Sequence, residues 1–363
     1  TMAGSWHPAL WRERPAAQQP VYADAAALAA VEAELAEAPA LVSLSGIDQL
    51  RARLADAAAG RALLLQGGDC AETFAEPDIA GLSAVFDRLC SQLPLPAVTV
   101  ARIAGQFAKP RTVEGKVWRG EIVNGREALE PDPERMLRAY RHSAETVRRL
   151  PNCLFTSHEA LLLPYEQGLV RRADDGRWWS GSGHLLWLGE RSRQLDGAHV
   201  AFAAGLANPL GVKLGTIEAD ALRRLADFLD PEREPGRLTL IVRMGPEIGS
   251  RLPGLMRALR QEGRSPLWVS DPLHGNTERG GPRKVRQMAA ILREVTGFVA
   301  IARSEGVHAG GLHLEMTPED VAECSGAHEG EGWTSACDPR LNPRQAAEVV
   351  RTFAAALARR DAA

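Results

Sequence analysis

Residues 62–72 read Ala62-Leu63-Leu64-Leu65-Gln66-Gly67-Gly68-Asp69-Cys70-Ala71-Glu72, a short apolar run that ends in glycine and then in reactive side chains. The same design recurs seven times, at Val98–Ile103, Cys153–Phe155, Leu185–Leu188, Leu210–Leu214, Leu238–Val242, Leu267–Val269 and Leu312–Leu314. Helical patterns separate several of these runs, at Pro133–Leu150, Glu218–Leu229, Gly254–Glu262 and Lys284–Arg303. A last one, Pro343–Arg359, has Asn342 as N-cap and proline at its first position. Short buried strands alternating with helices imply parallel pairing through right-handed crossovers. Eight such units predict an α/β fold, a closed (β/α)8 TIM barrel over residues 61–363, with an open doubly wound sheet as the competitor. Ala25–Ala38 and Ile47–Ala59 read as two helices of an N-terminal helical extension over residues 1–60.

The composition fits such a fold. Of 363 residues, 45% are hydrophobic and 25% charged, which excludes a disordered or collagen-like chain. Lysine and arginine number 43 against 46 acidic residues, a net charge of −3, so no general attraction to nucleic acid or to an anionic membrane is expected. The longest apolar runs are far too short to span a bilayer, and no basic leader precedes an apolar stretch. Five scattered cysteines (Cys70, Cys90, Cys153, Cys324, Cys337) are no disulfide framework, and a reducing cytoplasmic location is expected.

The residues that close each run carry the chemistry. Arg102 ends the second, Ser157-His158-Glu159 come after the third, Glu190-Arg191 after the fourth, and Lys213 lies near the end of the fifth. Arg243 ends the sixth, Asp271-Pro272-Leu273-His274 come after the seventh, and Glu315 ends the eighth. Taken singly, Cys70 reads as a small buried hydrophobe, His274 as a structural histidine and each arginine as a surface charge. Their joint placement at successive strand C-termini is what a barrel active site requires. Two sets emerge. Cys70, His274, Glu315 and Asp338 offer mixed S, N and O donors, which suit Mn, Fe, Co or Zn better than Ca or Mg. No two of them are closely spaced, and Cys337, beside Asp338, is the nearest competing ligand. Arg102, Lys109, Arg111, Arg191, Lys213 and Arg243 predict an anionic substrate, and so many cations suit two phosphate groups better than one carboxylate.

Gln66–Glu72, Arg102–Arg111, Thr156–Leu161, Gly189–His199, Ala207–Gly215, Asp271–Thr277, Gly311–Glu315 and Ala336–Asn342 together resemble the type II 3-deoxy-D-arabino-heptulosonate 7-phosphate (DAHP) synthases. The likeness runs from Gln18-Gln19-Pro20 to the C-terminal helix, and is nearest to the compact form of phenazine-type secondary metabolism. It implies a metal-dependent transferase that condenses phosphoenolpyruvate with D-erythrose 4-phosphate and releases phosphate, at the head of the shikimate pathway of aromatic amino acid biosynthesis or of a branch from it. It implies Cys70, His274, Glu315 and Asp338 as ligands of a divalent metal, Mn2+ or Co2+ first, with Fe2+ and Zn2+ as alternatives. Phosphoenolpyruvate would be held by Arg102, Trp187, Glu190, Arg191, Lys213 and Arg243, with Glu190, Lys213 and Arg102 catalytic and Glu190 orienting water. Lys109, Arg111 and Thr112 would take the aldehyde's phosphate. The expected partners are small molecules and a second copy of the chain, a homo-oligomer with a dimer favoured, with no nucleic acid and no membrane.

This chain departs from the family pattern near the aldehyde half. Thr112 stands where the family usually has Ser, Thr216 where it has Pro, and no Lys follows Gly245, where Glu247 appears instead. A carboxylate beside an anion site keeps open another aldehyde, such as an amino-sugar phosphate, with otherwise unchanged chemistry. A catalytically silent, partner-binding paralogue is the third reading. The compact form lacks the additional helices that serve aromatic feedback, so little feedback inhibition is expected.

Overall fold

The computed structural model describes residues 6–113 and 115–359. All eight apolar runs are strands: β1 (Leu63–Gly68), β2 (Ala97–Arg102), β3 (Phe155–Glu159), β4 (Leu185–Leu188), β5 (Leu210–Leu214), β6 (Leu238–Val242), β7 (Leu267–Ser270) and β8 (Gly311–Glu315). They pair in parallel, each with its sequence neighbours, and β8 closes on β1, where Leu64 faces Gly311 and Gly68 faces Glu315. The barrel is closed, and the open-sheet alternative is excluded.

Side chains along a strand alternate between faces. Leu63, Leu65, Leu210, Val212, Leu214, Leu238, Leu240 and Val242 point outward and pack under the helices. Leu64, Val98, Val100, Phe155, Leu185, Trp187 and Ile241 fill the interior. The same period carries Arg102, Glu159, Lys213 and Glu315 inward at the strand ends, two residues beyond Val100, Ser157, Gly211 and His313. Gly211 is required there, because a Cβ would lie 2.8 Å from the Cβ of Trp187.

The N-terminal helices are built into the barrel. The helix Leu44–Ala58 begins with Ser43 accepting a hydrogen bond from Gly46 N–H. It sets Leu50, Leu54 and Ala57 against Leu64, Val98 and Leu267, so its apolar face closes the bottom of the barrel. The helix Ala25–Glu37 packs Val31 and Leu35 against the helix Glu134–Arg149 through Met136 and Leu137. The C-terminal helix Pro343–Ala358 starts at the expected cap, a capping box in which Asn342 and Gln345 satisfy each other's backbone N–H.

Three elements differ from the hydropathy pattern. Strand β3 lies two residues later than Cys153–Phe155, because its second half is polar yet buried. Ser157 Oγ donates to Ala101 O and accepts from Gln66, and His158 Nε2 lies 2.6 Å from Glu166. The helix expected from Lys284 begins at Met288, since Lys284–Arg286 forms a hairpin with Thr277–Arg279. The helix expected from Gly254 begins at Ile248, with Pro253 tolerated inside at the loss of one backbone hydrogen bond. Among the described residues no helix is long and apolar enough to cross a membrane.

Candidate active site

All the predicted site residues gather at the C-terminal mouth of the barrel. Glu315 ends β8, His274 stands in a short turn after β7, and Asp338 belongs to the loop leading to the last helix. One donor atom from each lies within 4.8 Å of the other two. His274 Nδ1 is 2.6 Å from Asp271 Oδ2, which fixes the ring and leaves Nε2 facing Glu315 Oε1 at 2.9 Å. A carboxylate behind a histidine is the arrangement that orients and strengthens a metal-ligating imidazole. Burial alone would raise both acids, but it is outweighed. His274, Arg286 and Arg102 hold Glu315 well below the usual carboxylate range, and Lys109, Arg286 and Lys284 hold Asp338 down. Both are anionic at any working pH, as ligands to a divalent ion must be.

Cys70 stands outside this group of three. Its thiol is 3.1 Å from the sulfur of Cys337 and 3.1 Å from Ser335 Oγ, and burial pushes its pKa up. The competing ligand, Cys337, is therefore the immediate neighbour of the predicted one. The donor set still fits a borderline divalent cation, since three converging donors are oriented and a thiol lies against their loop.

Around the group of three lies a cavity of about 340 Å³, lined by Arg102, Lys109, Arg111, Thr112, Trp187, Glu190, Arg191, Lys213, Arg243, His274 and Asp338, all expected there. It also contains Glu159, which comes after the third run, and Gln106, Arg279, Lys284 and Arg286, which the residue pattern did not single out. Arg286 pairs with Glu315 at 2.5 Å and Lys284 with Asp338 at 2.5 Å. The alternation Lys284, Arg286 after Gly280-Gly281-Pro282 was the available signal, masked by the helical pattern that runs on from it.

Arg102 is held by a chain of hydrogen bonds inside the barrel. Its guanidinium donates to His313 Nε2 (2.8 Å), so the ring proton sits on Nδ1 and is donated to Gln66 Oε1 (2.7 Å). Gln66 in turn donates to Ser157 Oγ (2.9 Å). Burial, Lys213 and Arg102 keep His313 well below its ordinary pKa, so it stays neutral. Arg102 and Lys213 both lie over the Trp187 ring, at 5.0 and 5.8 Å from its centroid. Burial pushes Lys213 down to about 8, with Asp271, its ion-pair partner, opposing.

Glu190 and Glu159 have different surroundings. The Glu190 oxygens accept from Gly215 N–H (2.7 Å), Thr216 N–H (2.8 Å) and the Arg193 guanidinium (2.7 Å). Glu190 brackets the turn after β5 and is poorly placed for the water-orienting role expected of it. Glu159 Oε1 is buried without a hydrogen-bond partner, and burial raises the carboxyl's pKa against the pull of Lys109 and Lys213.

Residues 6–152 and 147–354 match the model of the class-II DAHP synthetase family. The chain belongs to this family. It is 39% identical to the phospho-2-dehydro-3-deoxyheptonate aldolase of Streptomyces coelicolor over 429 residues, 93% of this chain and 94% of that protein. It is 42% identical to a probable phospho-2-dehydro-3-deoxyheptonate aldolase of Pseudomonas fluorescens, over 94% of this chain and 95% of that one. The solved structure of phospho-2-dehydro-3-deoxyheptonate aldolase from Francisella tularensis SCHU S4 shares the fold, with a TM-score of 0.59 at 14% identity over 90% of this chain and 96% of that one. Membership in the class-II DAHP synthetases makes this protein an enzyme.

The geometry sets two expected outcomes. Lys213 must be protonated to hold an anion, so kcat/KM for phosphoenolpyruvate, the expected occupant, should fall as pH rises through about 8. Lys213→Arg stays charged and should lose that limb in the pH profile, whatever its absolute rate. Asp271→Asn should weaken Mn2+ binding, read by calorimetry, by about 10–100-fold, the usual effect of losing the partner behind a ligating histidine. Unchanged affinity would remove His274 from the ligand set.

Proposed function

We propose that the chain condenses phosphoenolpyruvate with D-erythrose 4-phosphate to give DAHP and inorganic phosphate. The observation that carries this reading is the meeting of two cation groups at one imidazole–carboxylate cluster, with a buried carboxyl open beside them. Lys109 and Lys284 reach Asp338, whereas Lys213 reaches the cluster through Asp271 and Arg102 through Glu315. Cations on both sides suit two phosphorylated reactants held face to face.

Arg102, Lys213, Arg191 and Arg243 hold phosphoenolpyruvate, with its plane against Trp187. Lys109, Arg111 and Thr112 receive the aldehyde's phosphate. His274, Glu315, Asp338 and the adjoining Cys70 would hold a divalent ion, Mn2+ or Co2+ by the family resemblance, which would supply Lewis-acid polarisation of the carbonyl. The clamps then align C3 of phosphoenolpyruvate with the aldehyde carbon. As that C–C bond forms, C2 becomes electron-poor and takes up water, whose proton passes by way of Glu159 to the aldehyde oxygen, which becomes a hydroxyl. The resulting C2 hydroxyl gives its proton to the departing phosphate as the C–O bond breaks and the ketone forms, and Lys213, Arg191 and Arg243 stabilise the departing charge.

Glu247, which kept the amino-aldehyde reading open, does not line the cavity. It pairs with Arg251, one turn along the helix, and Arg251 also donates to Thr216 Oγ1 (3.0 Å) and Gly215 O (3.3 Å). Its charge is neutralised within the loop, and the observation that favoured an amine-bearing substrate falls away.

Phosphate release from phosphoenolpyruvate with a panel of aldehydes tests the function. Erythrose 4-phosphate should exceed its amino analogue in kcat/KM by about tenfold or more, a gap of roughly 1.4 kcal/mol. A reversed ranking would sink the proposal. In the same assay Glu159→Gln should lower kcat by about 10²–10⁴-fold, the scale of a lost acid–base group, while Glu190→Gln should act mainly on KM for phosphoenolpyruvate. A near-normal kcat in Glu159→Gln would return the water to another residue.

A further inference from the structure

The loop that carries Lys109, Pro110, Arg111 and Thr112 is short of internal support. Lys109 N–H reaches Arg119 O at 2.8 Å, but among the described residues Pro110, Thr112 and Val113 take part in no hydrogen bond. The backbone of Arg111 is held instead from the other end of the chain. Gln18 accepts from Arg111 N–H at 2.8 Å and donates to Arg111 O at 2.9 Å. One side-chain amide thus makes both bonds that a neighbouring strand would make.

Gln18 reaches this position in an unfavourable backbone conformation, φ +62°, which L-residues other than glycine seldom adopt. Its neighbours keep it there. Gln19 donates to Leu161 O (2.8 Å) and accepts from Leu163 N–H (3.0 Å), and Pro15 O accepts from Ala198 N–H (2.9 Å). The segment is therefore anchored to the loop after β3 and to the start of the helix Ala198–Ala204, both parts of the rigid barrel. The far end of Arg111 is fixed separately, by Nε donating to Trp118 O (2.8 Å) and the guanidinium over the Trp118 ring at 5.4 Å.

We infer that residues 15–20 form a strap in which Gln18 is a positioning residue for the aldehyde-phosphate loop, ordering Arg111 before the substrate arrives. The inference rests on the proposed function, which places the aldehyde's phosphate at this loop. Without the strap, part of the substrate's binding energy would go into ordering the loop, and affinity for that substrate alone would drop. The strained φ at the one residue that makes both bonds is what an imposed position looks like.

The test uses full-length Gln18→Met, Gln18→Gly and Arg111→Ala, with steady-state kinetics for both substrates and thermal unfolding. Met keeps the length and loses the amide. Gly also loses the amide but relieves the backbone, which separates stability from function. Both Gln18 variants should raise KM for erythrose 4-phosphate by about tenfold, the scale of one or two lost hydrogen bonds, and leave KM for phosphoenolpyruvate and kcat within about twofold. The Gly variant should melt no lower than the parent. Arg111→Ala should raise KM for erythrose 4-phosphate further. If Arg111→Ala leaves that KM unchanged, the loop does not bind the aldehyde's phosphate and the underlying reading fails. If Arg111→Ala raises it and neither Gln18 variant does, the reading stands and the strap is refuted. Loss of both substrates' affinity together with a lower Tm in both Gln18 variants would reduce Gln18 to a packing role and overturn the inference as well.

Discussion

Asp271 is fully buried and its carboxylate is shared between two groups of different purpose, the ammonium of Lys213 and the imidazole of His274. From there the polar contacts run through His274 to Glu315, from Glu315 to Arg102 and Arg286, and separately from Asp338 to Lys109 and Lys284. No member of this lattice is stable alone at such depth, since leaving a buried charge unpaired costs about 3–5 kcal/mol. The barrel mouth is therefore assembled as a unit. The groups proposed for phosphoenolpyruvate and those proposed for the metal are not two sites side by side but one electrostatic object, and a change at Asp271 is felt by both.

The fold was legible because hydropathy in a parallel barrel is nearly binary. Eight runs such as Leu238–Val242 are buried on both faces and stand out from helices with charged outer faces. The failures occurred where burial and polarity coincide. Strand β3 hides Ser157, His158 and Glu159 in the interior by pairing each backbone or side chain locally, so a scale that equates polar with exposed ends the run too soon. With the strand placed two residues later, Glu159 shares a face with Phe155, and its inward aim follows from the period of two. The hairpin from Thr277 to Arg286 has arms of three residues, too short for alternation to register against the helical pattern beyond it.

Within the site, legibility followed the backbone. Arg102, Lys213 and Glu315 sit on strand ends, where position in the sequence fixes direction. Residues on loops were harder: Cys70 and Cys337 are 267 positions apart, and their contact depends on how two loops fold back over the mouth. Glu247 read as a threat to anion binding because its partner Arg251 lies on the next helical turn, a local i,i+4 pair that needed the helix to begin at Ile248 and not at Gly254. The late helix start thus helped keep an amine-bearing aldehyde open as an alternative.

The helix Leu44–Ala58, laid across the lower end of the barrel with Leu50 and Leu54 fully buried, closes that end, so the strand ends are reached from the mouth. Lys213 and Arg102 are rooted on strands and stand 5% and 2% exposed, whereas Thr112 and Arg279 sit on exposed loop and hairpin positions nearer the rim. Traffic in such a cul-de-sac is queued. A molecule seated at the strand ends blocks nothing above it, but one seated at the rim bars the way down. On the substrate placement proposed above, the deeper reactant enters first, and whatever is released beneath the rim leaves after the rim is vacated.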